Sequence, residues 1–386
     1  MQGTEKKGCA SRMRAIYVLL VLIFILPFFF IDVSGVTVES ELWENFVSSL
    51  PDGATDGFED GAFDDEGSLA ESVSQMSSAR YVIGRILDCI GLELRGALTL
   101  FCSLCALLTL NAALGGASGA FLGRDLGGAV RFCSAGAIFS SVIYSQYGHF
   151  ESIEIFFDSL GSLMRAMIPM GASLWAMGGN IVSASSGSAT LYIMLGVSEG
   201  LFRTTVTPVC SVMSVLNLCD ALSDEMRTGR MLGAIRKIYS FFLCSVMTLL
   251  ISCLAAQTAL SASADGVAAR TARLVSGSFI PILGGSVGET LRTVASGVGY
   301  LKNVFGIGGI LMIFSLLLPV CVSTLLYRVV FLAAGGIADM LGLASEARLL
   351  DGLGEVYGTM LAVVTSVSVM FVLSLCIFMQ SVVAVE

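Results

Sequence analysis

A chain of 386 residues, of which 55% are apolar and only 13% charged, with a mean hydropathy of +0.85, is too apolar for a water-soluble enzyme or binding domain. Its net charge of −9 arises from one segment near the N-terminus. Continuous apolar runs, rather than alternating segments of about 10 residues, exclude a transmembrane β-barrel. The composition predicts an all-α, polytopic membrane protein, because helices satisfy their own backbone groups in lipid.

The first 35 residues have the pattern of a signal peptide. A basic start precedes the apolar block Ala15–Ile31, and Val33-Ser34-Gly35 offers a cleavage site after Gly35. The basic residues are Lys6, Lys7, Arg12 and Arg14. The alternative is an uncleaved first transmembrane helix, although the 17-residue block is at the lower limit of a span.

Residues 36–80 form an acidic segment. Twelve acidic residues and no Lys or Arg lie between residues 32 and 79. Gly, Asp and Ser dominate the segment, so we expect an exported, disordered tail. One short helical face is expected within it, formed by Trp43, Phe46, Val47 and Leu50. The spacing of a calcium loop is absent, and none of the eleven cysteines lies here to form a disulfide framework.

Residues 81–386 form the polytopic body. Five runs of 25 residues or more lack Asp, Glu, Lys and Arg, whereas about 20 apolar residues are enough for a helix to cross a bilayer. These runs are Gly96–Gly123, Ala166–Ser198, Ile238–Ala264, Asn303–Tyr327 and Val356–Val385. Phe132–Phe150 and Thr204–Cys219, which contains Pro208, are weaker candidates, and the run from Ala166 should break at Gly178-Gly179-Asn180. We expect six to eight transmembrane helices after the signal peptide.

Basic residues set the expected orientation, because they concentrate in cytoplasmic loops. The basic start, the Arg124–Arg131 loop and the Asp220–Lys237 loop are placed in the cytoplasm, and the acidic tail outside. With an even number of mature spans, Glu386 also faces outside.

Three polar residues inside the body have both a structural and a functional interpretation. Glu199 and Arg203, four residues apart, form either an intrahelical ion pair or the polar lining of a conduit. Charges near apolar runs are costly unless they are paired or hydrated. Asn180, after the Gly-Gly pair, lies either at a helix break that lines a cavity or in an interfacial turn.

A glycine repeat predicts close helix packing. Glycines recur every four residues, at Gly115, Gly119, Gly123 and Gly127. On one helix, these glycines would form a face without side chains, which would let the backbone of a neighbouring helix approach closely. The neighbour could belong to the same chain or to another copy, so a homo-oligomer stays open.

The sequence carries no catalytic or cofactor signature. His149 is the only histidine, which excludes two-histidine zinc motifs, and no Gly-Lys dipeptide exists for a Walker A loop. Gly-x-Ser-x-Gly occurs at 196–200 and 284–288, but a nucleophile elbow needs a strand–turn–helix and a reachable histidine. Cys102 and Cys105 are interpreted as buried apolar residues. We expect no enzyme activity, no metal and no cofactor, and any energy from ATP would come from a partner.

Residues 265–302 are predicted to form an amphipathic helical hairpin. Pro281 and Gly284-Gly285 should break the helix and form the turn. An apolar stripe follows at spacings of three and four residues: Val287, Leu291, Val294, Val298 and Leu301. Glu289 and Arg292 lie on the other face, where they could contact a partner or simply be solvated.

This stretch closely resembles the stage III sporulation protein AE family. The resemblance rests on the Ala-Arg-Thr-Ala start at 269–272, the Phe279-Ile280-Pro281 and Gly284-Gly285 turn, and Leu301-Lys302-Asn303 before a Gly-rich span. Pro169 to Ala184 is similar to an earlier membrane motif of the family. The resemblance covers residues 80–380.

The resemblance implies a membrane subunit of the sporulation channel or export assembly that links the mother cell to the forespore and supports late forespore gene expression. It also implies partners: the other stage III sporulation A-operon proteins, including an ATPase and ring-forming proteins, and indirectly stage II sporulation protein Q. The implied location is the mother-cell membrane around the forespore, with an extracytoplasmic tail. The bilayer is a further partner, and nothing indicates a nucleic acid.

A self-contained secondary transporter is the alternative function. Transporters commonly consist of two similar halves with broken helices in corresponding places. No convincing internal repeat is present in this sequence, which favours a subunit of an assembly over a permease.

Overall fold

In a computed structural model of the chain, seven α-helices make up almost all of the described residues, which include no strand. The structure describes residues 40–51, 53–55, 72–73, 75–76, 78–121, 124–177, 180–222, 229–279 and 284–379. The helices are α1 Ser40–Ser48, α2 Ala79–Phe121, α3 Arg124–Met177, α4 Ser188–Leu222, α5 Gly229–Phe279, α6 Gly284–Met340 and α7 Ala344–Met379. A π-helical turn, Ser183–Gly187, leads directly into α4.

Five helices in the described ranges are long and apolar enough to cross a membrane. The candidate spans are Arg80–Leu114, Ser183–Ala221, Gly229–Asp265, Val304–Met340 and Ala344–Met379. The count is below the expected six to eight because two expected spans are parts of longer helices. Phe132–Phe150 belongs to α3, where Ser, Gln, Gly and His lower the hydropathy, and Thr204–Cys219 belongs to α4, which continues through Pro208.

The helices α6 and α7 form the centre of the bundle. Three residues, 341–343, connect them, and Gly342 has a φ of +75°. The Leu343 N–H donates to the Ala338 carbonyl at 2.9 Å and the Gly342 N–H to the Asp339 carbonyl at 3.0 Å. These bonds form a Schellman motif, which satisfies the last carbonyls of α6 and favours glycine at the left-handed position. The sharp reversal lets α6 and α7 pack along each other.

The remaining helices surround this pair. The helix α2 lies against α6 and α3, and α4 lies between α3 and α7. The helix α5 covers α4 and α7. Asn111 of α2 donates from Nδ2 to Oε1 of the buried Glu346 at 2.7 Å, which ties α2 to the first turn of α7. Because a buried carboxylate must be hydrogen-bonded, this contact fixes the position of α2 relative to α7 along their axes.

The break expected at Gly178-Gly179-Asn180 is found at Asn180, while Gly178 and Gly179 lie outside the described residues. The helix α3 ends at Met177, and helical structure resumes at Ile181. Asn180 is buried, its N–H donates to the Trp175 carbonyl at 2.9 Å, and its carbonyl accepts from the Ala184 N–H at 2.9 Å. The chain therefore turns here without leaving these two groups of Asn180 unsatisfied.

Most side chains of the predicted hairpin are not among those that the structure describes. The helix α5 ends at Phe279 and α6 begins at Gly284, so the two predicted arms are continuous with long helices. Pro281 lies outside the described residues. Gly284 and Gly285 open α6, and Glu289 and Arg292 follow within it. The turn and the partner face assigned to these residues stay a prediction.

The N-terminal segment differs from the expectation in part. The signal peptide, residues 1–35, lies outside the described residues. The short helix expected around Trp43 is found as α1, and its Phe46 ring lies 4.9 Å from the ring of Phe305 in α6. The Ser315 hydroxyl donates to the Gly53 carbonyl at 3.3 Å, and Ala54 is fully buried. Phe46 and Ala54 therefore pack on the bundle, and the disorder expected for the rest of the segment stays a prediction.

The glycine repeat is divided between two helices. Gly115 and Gly119 belong to α2, Gly127 belongs to α3, and Gly123 lies outside the described residues. The four glycines are therefore not on one described helix, because α2 ends at Phe121. Their role in helix packing stays a prediction.

Candidate functional site

Charged and polar side chains join α3 and α4 along their antiparallel contact. Arg165 donates from Nη1 to Glu199 Oε2 at 3.0 Å, and Arg203 forms an ion pair with Asp158. Thr207 donates from Oγ1 to Glu154 Oε1 at 3.1 Å. We call this set the polar ladder: Glu154, Asp158 and Arg165 of α3 with Glu199, Arg203 and Thr207 of α4.

Helical spacing explains why these residues meet. Glu199, Arg203 and Thr207 recur every four residues, so they share one face of α4. Asp158 and Arg165 are seven residues apart, two turns, on the facing side of α3. Each helix has the acid before the base, so the antiparallel arrangement places Asp158 beside Arg203 and Arg165 beside Glu199.

A glycine makes room for the carboxylate of Glu199 in the ladder. A Cβ at Gly161 would overlap the carboxylate of Glu199. Only 12% of the Glu199 side chain is exposed. The close approach of α3 places this carboxylate beside Arg165, and any larger residue at 161 would displace it.

The position and exposure of the ladder indicate a hydrophilic contact. Glu199 and Arg203 lie near the middle of the candidate span Ser183–Ala221. The side chains of Asp158, Arg165 and Arg203 are nevertheless 45–46% exposed on the surface of the chain. Charges at membrane depth face a protein interior or a water-filled cavity, because contact with lipid is costly. Water or a second protein is therefore expected to cover this side of α3 and α4.

Two of the four charges in these ion pairs, Glu199 and Arg203, were singled out from the sequence. Sequence reasoning left Glu199 and Arg203 as an intrahelical pair or as polar lining. In the described part of the chain, each pairs with α3 instead of with the other. The sequence analysis did not identify Asp158 and Arg165, although their spacing of seven residues, two helical turns, was a usable signal.

Asn180 does not join the ladder. It precedes Glu199 by 19 residues, a distance of about 28 Å along a helix axis at about 1.5 Å per residue. It lies instead beside a second polar contact, which sequence reasoning also missed.

The second contact caps the helical segment that follows the break. Both oxygens of Asp265 accept backbone hydrogen bonds: Oδ1 from the Val182 N–H and Oδ2 from the Ser183 N–H, each at 2.9 Å. Asp265 belongs to α5 and is only 4% exposed. The hydroxyls of Ser186 and Ser261 lie 2.9 Å apart one turn further along. A carboxylate at a helix N-terminus is favoured by the free N–H groups and the helix dipole.

Comparison with known proteins agrees with the resemblance seen in the sequence. The sequence profile described as stage III sporulation protein AE matches residues 68–382. A curated protein named stage III sporulation protein AE, from Bacillus subtilis (strain 168), is 26% identical over 224 residues. That similarity covers 58% of this chain and 56% of the relative, little more than half of each. No solved structure matches the chain. Since the profile extends over most of the helical body, this chain belongs to the stage III sporulation protein AE family.

Proposed function

We propose that this chain is a membrane subunit of the channel or export assembly between mother cell and forespore, and that the polar ladder forms one wall of its hydrophilic route. Membership of a sporulation family supports the biological setting. The observation that carries the proposal is the ladder itself: the side chains of Asp158, Arg165 and Arg203 are 45–46% exposed, and Arg203 lies near the middle of a candidate span.

One chain provides only one side of this route. The ladder lies on the outer surface of α3 and α4, so a second copy or a partner supplies the opposite wall. The resemblance suggests as partners the stage III sporulation A-operon proteins, including an ATPase and ring-forming proteins, and stage II sporulation protein Q. The chain acts in the mother-cell membrane around the forespore, with its N-terminal segment on the extracytoplasmic side.

Thiol accessibility tests the wall directly. In a background without native cysteines, Arg203→Cys should react with a charged, membrane-impermeant methanethiosulfonate in sporulating cells, because water reaches the ladder. Ile193→Cys is the matched control on the same helix: Ile193 is 64% exposed but lies on an apolar surface, and should stay unreactive. Equal, slow reaction at both positions would show that the ladder is dry and would remove the basis of the proposal.

Reconstitution separates a subunit from a self-contained transporter. The purified chain alone in proteoliposomes should not accumulate solutes against a gradient, because half of the route is missing. Radiolabelled amino acids, sugars and polyamines can be screened under an imposed proton or sodium gradient, with empty liposomes as the control. Gradient-dependent accumulation by the chain alone would favour the permease.

A further inference from the structure

A cleft opens between α3 and α4 beyond the Thr207 end of the polar ladder. It has a volume of about 480 Å³, which is within the usual range of small-molecule sites. The rings of Phe139, Tyr147 and Phe150 line it together with the carboxylates of Glu151 and Glu154. We call this set the aromatic cleft.

The charges of the aromatic cleft are not balanced within the described part of the chain. In the ladder, Glu199 neutralises Arg165 and Asp158 neutralises Arg203. Neither Glu151 nor Glu154 has a basic side chain at ion-pair distance among the described residues. Glu154 accepts a neutral hydrogen bond, from Thr207. Among the described residues, the cleft therefore carries two carboxylates without a basic partner, beside three aromatic rings.

This combination selects the class of ligand. Aromatic faces attract cations through their quadrupole, and carboxylates accept charge-assisted hydrogen bonds from ammonium or guanidinium groups. An anion would be repelled, and an apolar ligand would leave both carboxylates unpaired. A hard metal ion prefers six or more oxygen ligands, and the described residues include no group of three or more acidic, His or Cys side chains arranged for a metal.

We propose that the aromatic cleft binds a small organic cation with a primary ammonium or guanidinium group. The rings hold its hydrocarbon part and the two carboxylates hold its charged end. This inference rests on the proposed function, since it places a cation site beside the wall of the route.

Equilibrium dialysis of the purified full-length protein in detergent tests the site. Radiolabelled spermidine and agmatine supply the ammonium and the guanidinium, and glutamate and sorbitol supply an anion and a neutral solute. The wild type should bind both cations saturably and neither of the other solutes. Glu151→Gln with Glu154→Gln keeps the shape but removes both charges, and should weaken binding by about tenfold or more. Tyr147→Leu should weaken it several-fold without a change in charge.

The matched control is Glu355→Gln, the same substitution at a carboxylate that pairs with Arg236 outside the cleft. This variant should bind both cations like the wild type. Size-exclusion chromatography identifies any variant that fails to fold. Absence of saturable binding to either cation, or unchanged binding by the double glutamine variant, would overturn the site. Neither result affects the thiol test at Arg203, so failure of the cation site and failure of the proposed function are distinguishable.

Discussion

Replacement of Asp265 by alanine is expected to destabilise the protein by about 3 kcal/mol or more, because hydrogen bonds to a charged group contribute about 1.5–3 kcal/mol each. The substitution removes the acceptors of the Val182 and Ser183 N–H groups, at the start of the helical segment that follows the break, where Ser183 is buried. Chemical unfolding of the detergent-solubilised protein measures the loss, and reduced accumulation in the membrane should accompany it.

Two further variants define the cause of this effect. Asp265→Asn keeps one acceptor oxygen and should lose roughly half as much stability. Asp339→Ala removes an exposed carboxylate near the end of α6 and should stay within about 0.5 kcal/mol of the wild type. If Asp265→Ala unfolded at the same denaturant concentration as the wild type, the two N–H groups would have other acceptors and the cap would contribute nothing.

Gly171→Ala is expected to lower stability by about 2 kcal/mol, a typical result of overpacking a rigid core. An added Cβ would overlap Cε1 of Phe378 and lie 3.1 Å from its Cζ. The ring cannot simply move away, because Trp175 packs on it with the centroids 4.1 Å apart. Trp175 in turn lies against Gly187 of the π-helical turn. Differential scanning fluorimetry in detergent should detect the change as a lower Tm.

Gly136→Ala provides the matched control for Gly171→Ala. Gly136 lies in the same helix, and an added Cβ would have no heavy atom within 4 Å. It should be neutral or slightly stabilising, since alanine has the higher helix propensity. Equal Tm values for the two variants would mean that the packing between α3 and α7 is loose enough to absorb a methyl group.

Local patterns predicted much of the fold. Runs without charge identify apolar helices because the period and composition of a helix are readable within one segment. The break before Asn180 was predictable for the same reason, since two adjacent glycines interrupt an apolar run. The short helix around Phe46 was also expected, but its contact with Phe305 depends on residues far away in the sequence.

The candidate site was harder to predict from the sequence, because its contacts join residues that are far apart along the chain. Asp265 and Ser183 are 82 residues apart, and Arg165 and Glu199 are 34 residues apart. Asp158 and Arg165 of α3 find their partners on α4. A single sequence gives the periodicity of each polar face but not which faces meet.

The π-helical turn Ser183–Gly187 determines in which direction around the helix axis the side chains of α4 point. A π-type turn accommodates one residue more than an α-type turn, and one residue corresponds to about 100° of rotation. Upstream, Val182 and Ser183 are held by Asp265, so the start of the segment cannot rotate freely. Loss of one residue from this turn would swing Glu199 and Arg203 by about 100° away from α3. The length of this five-residue turn is thus as strict a requirement for the polar ladder as the charges themselves.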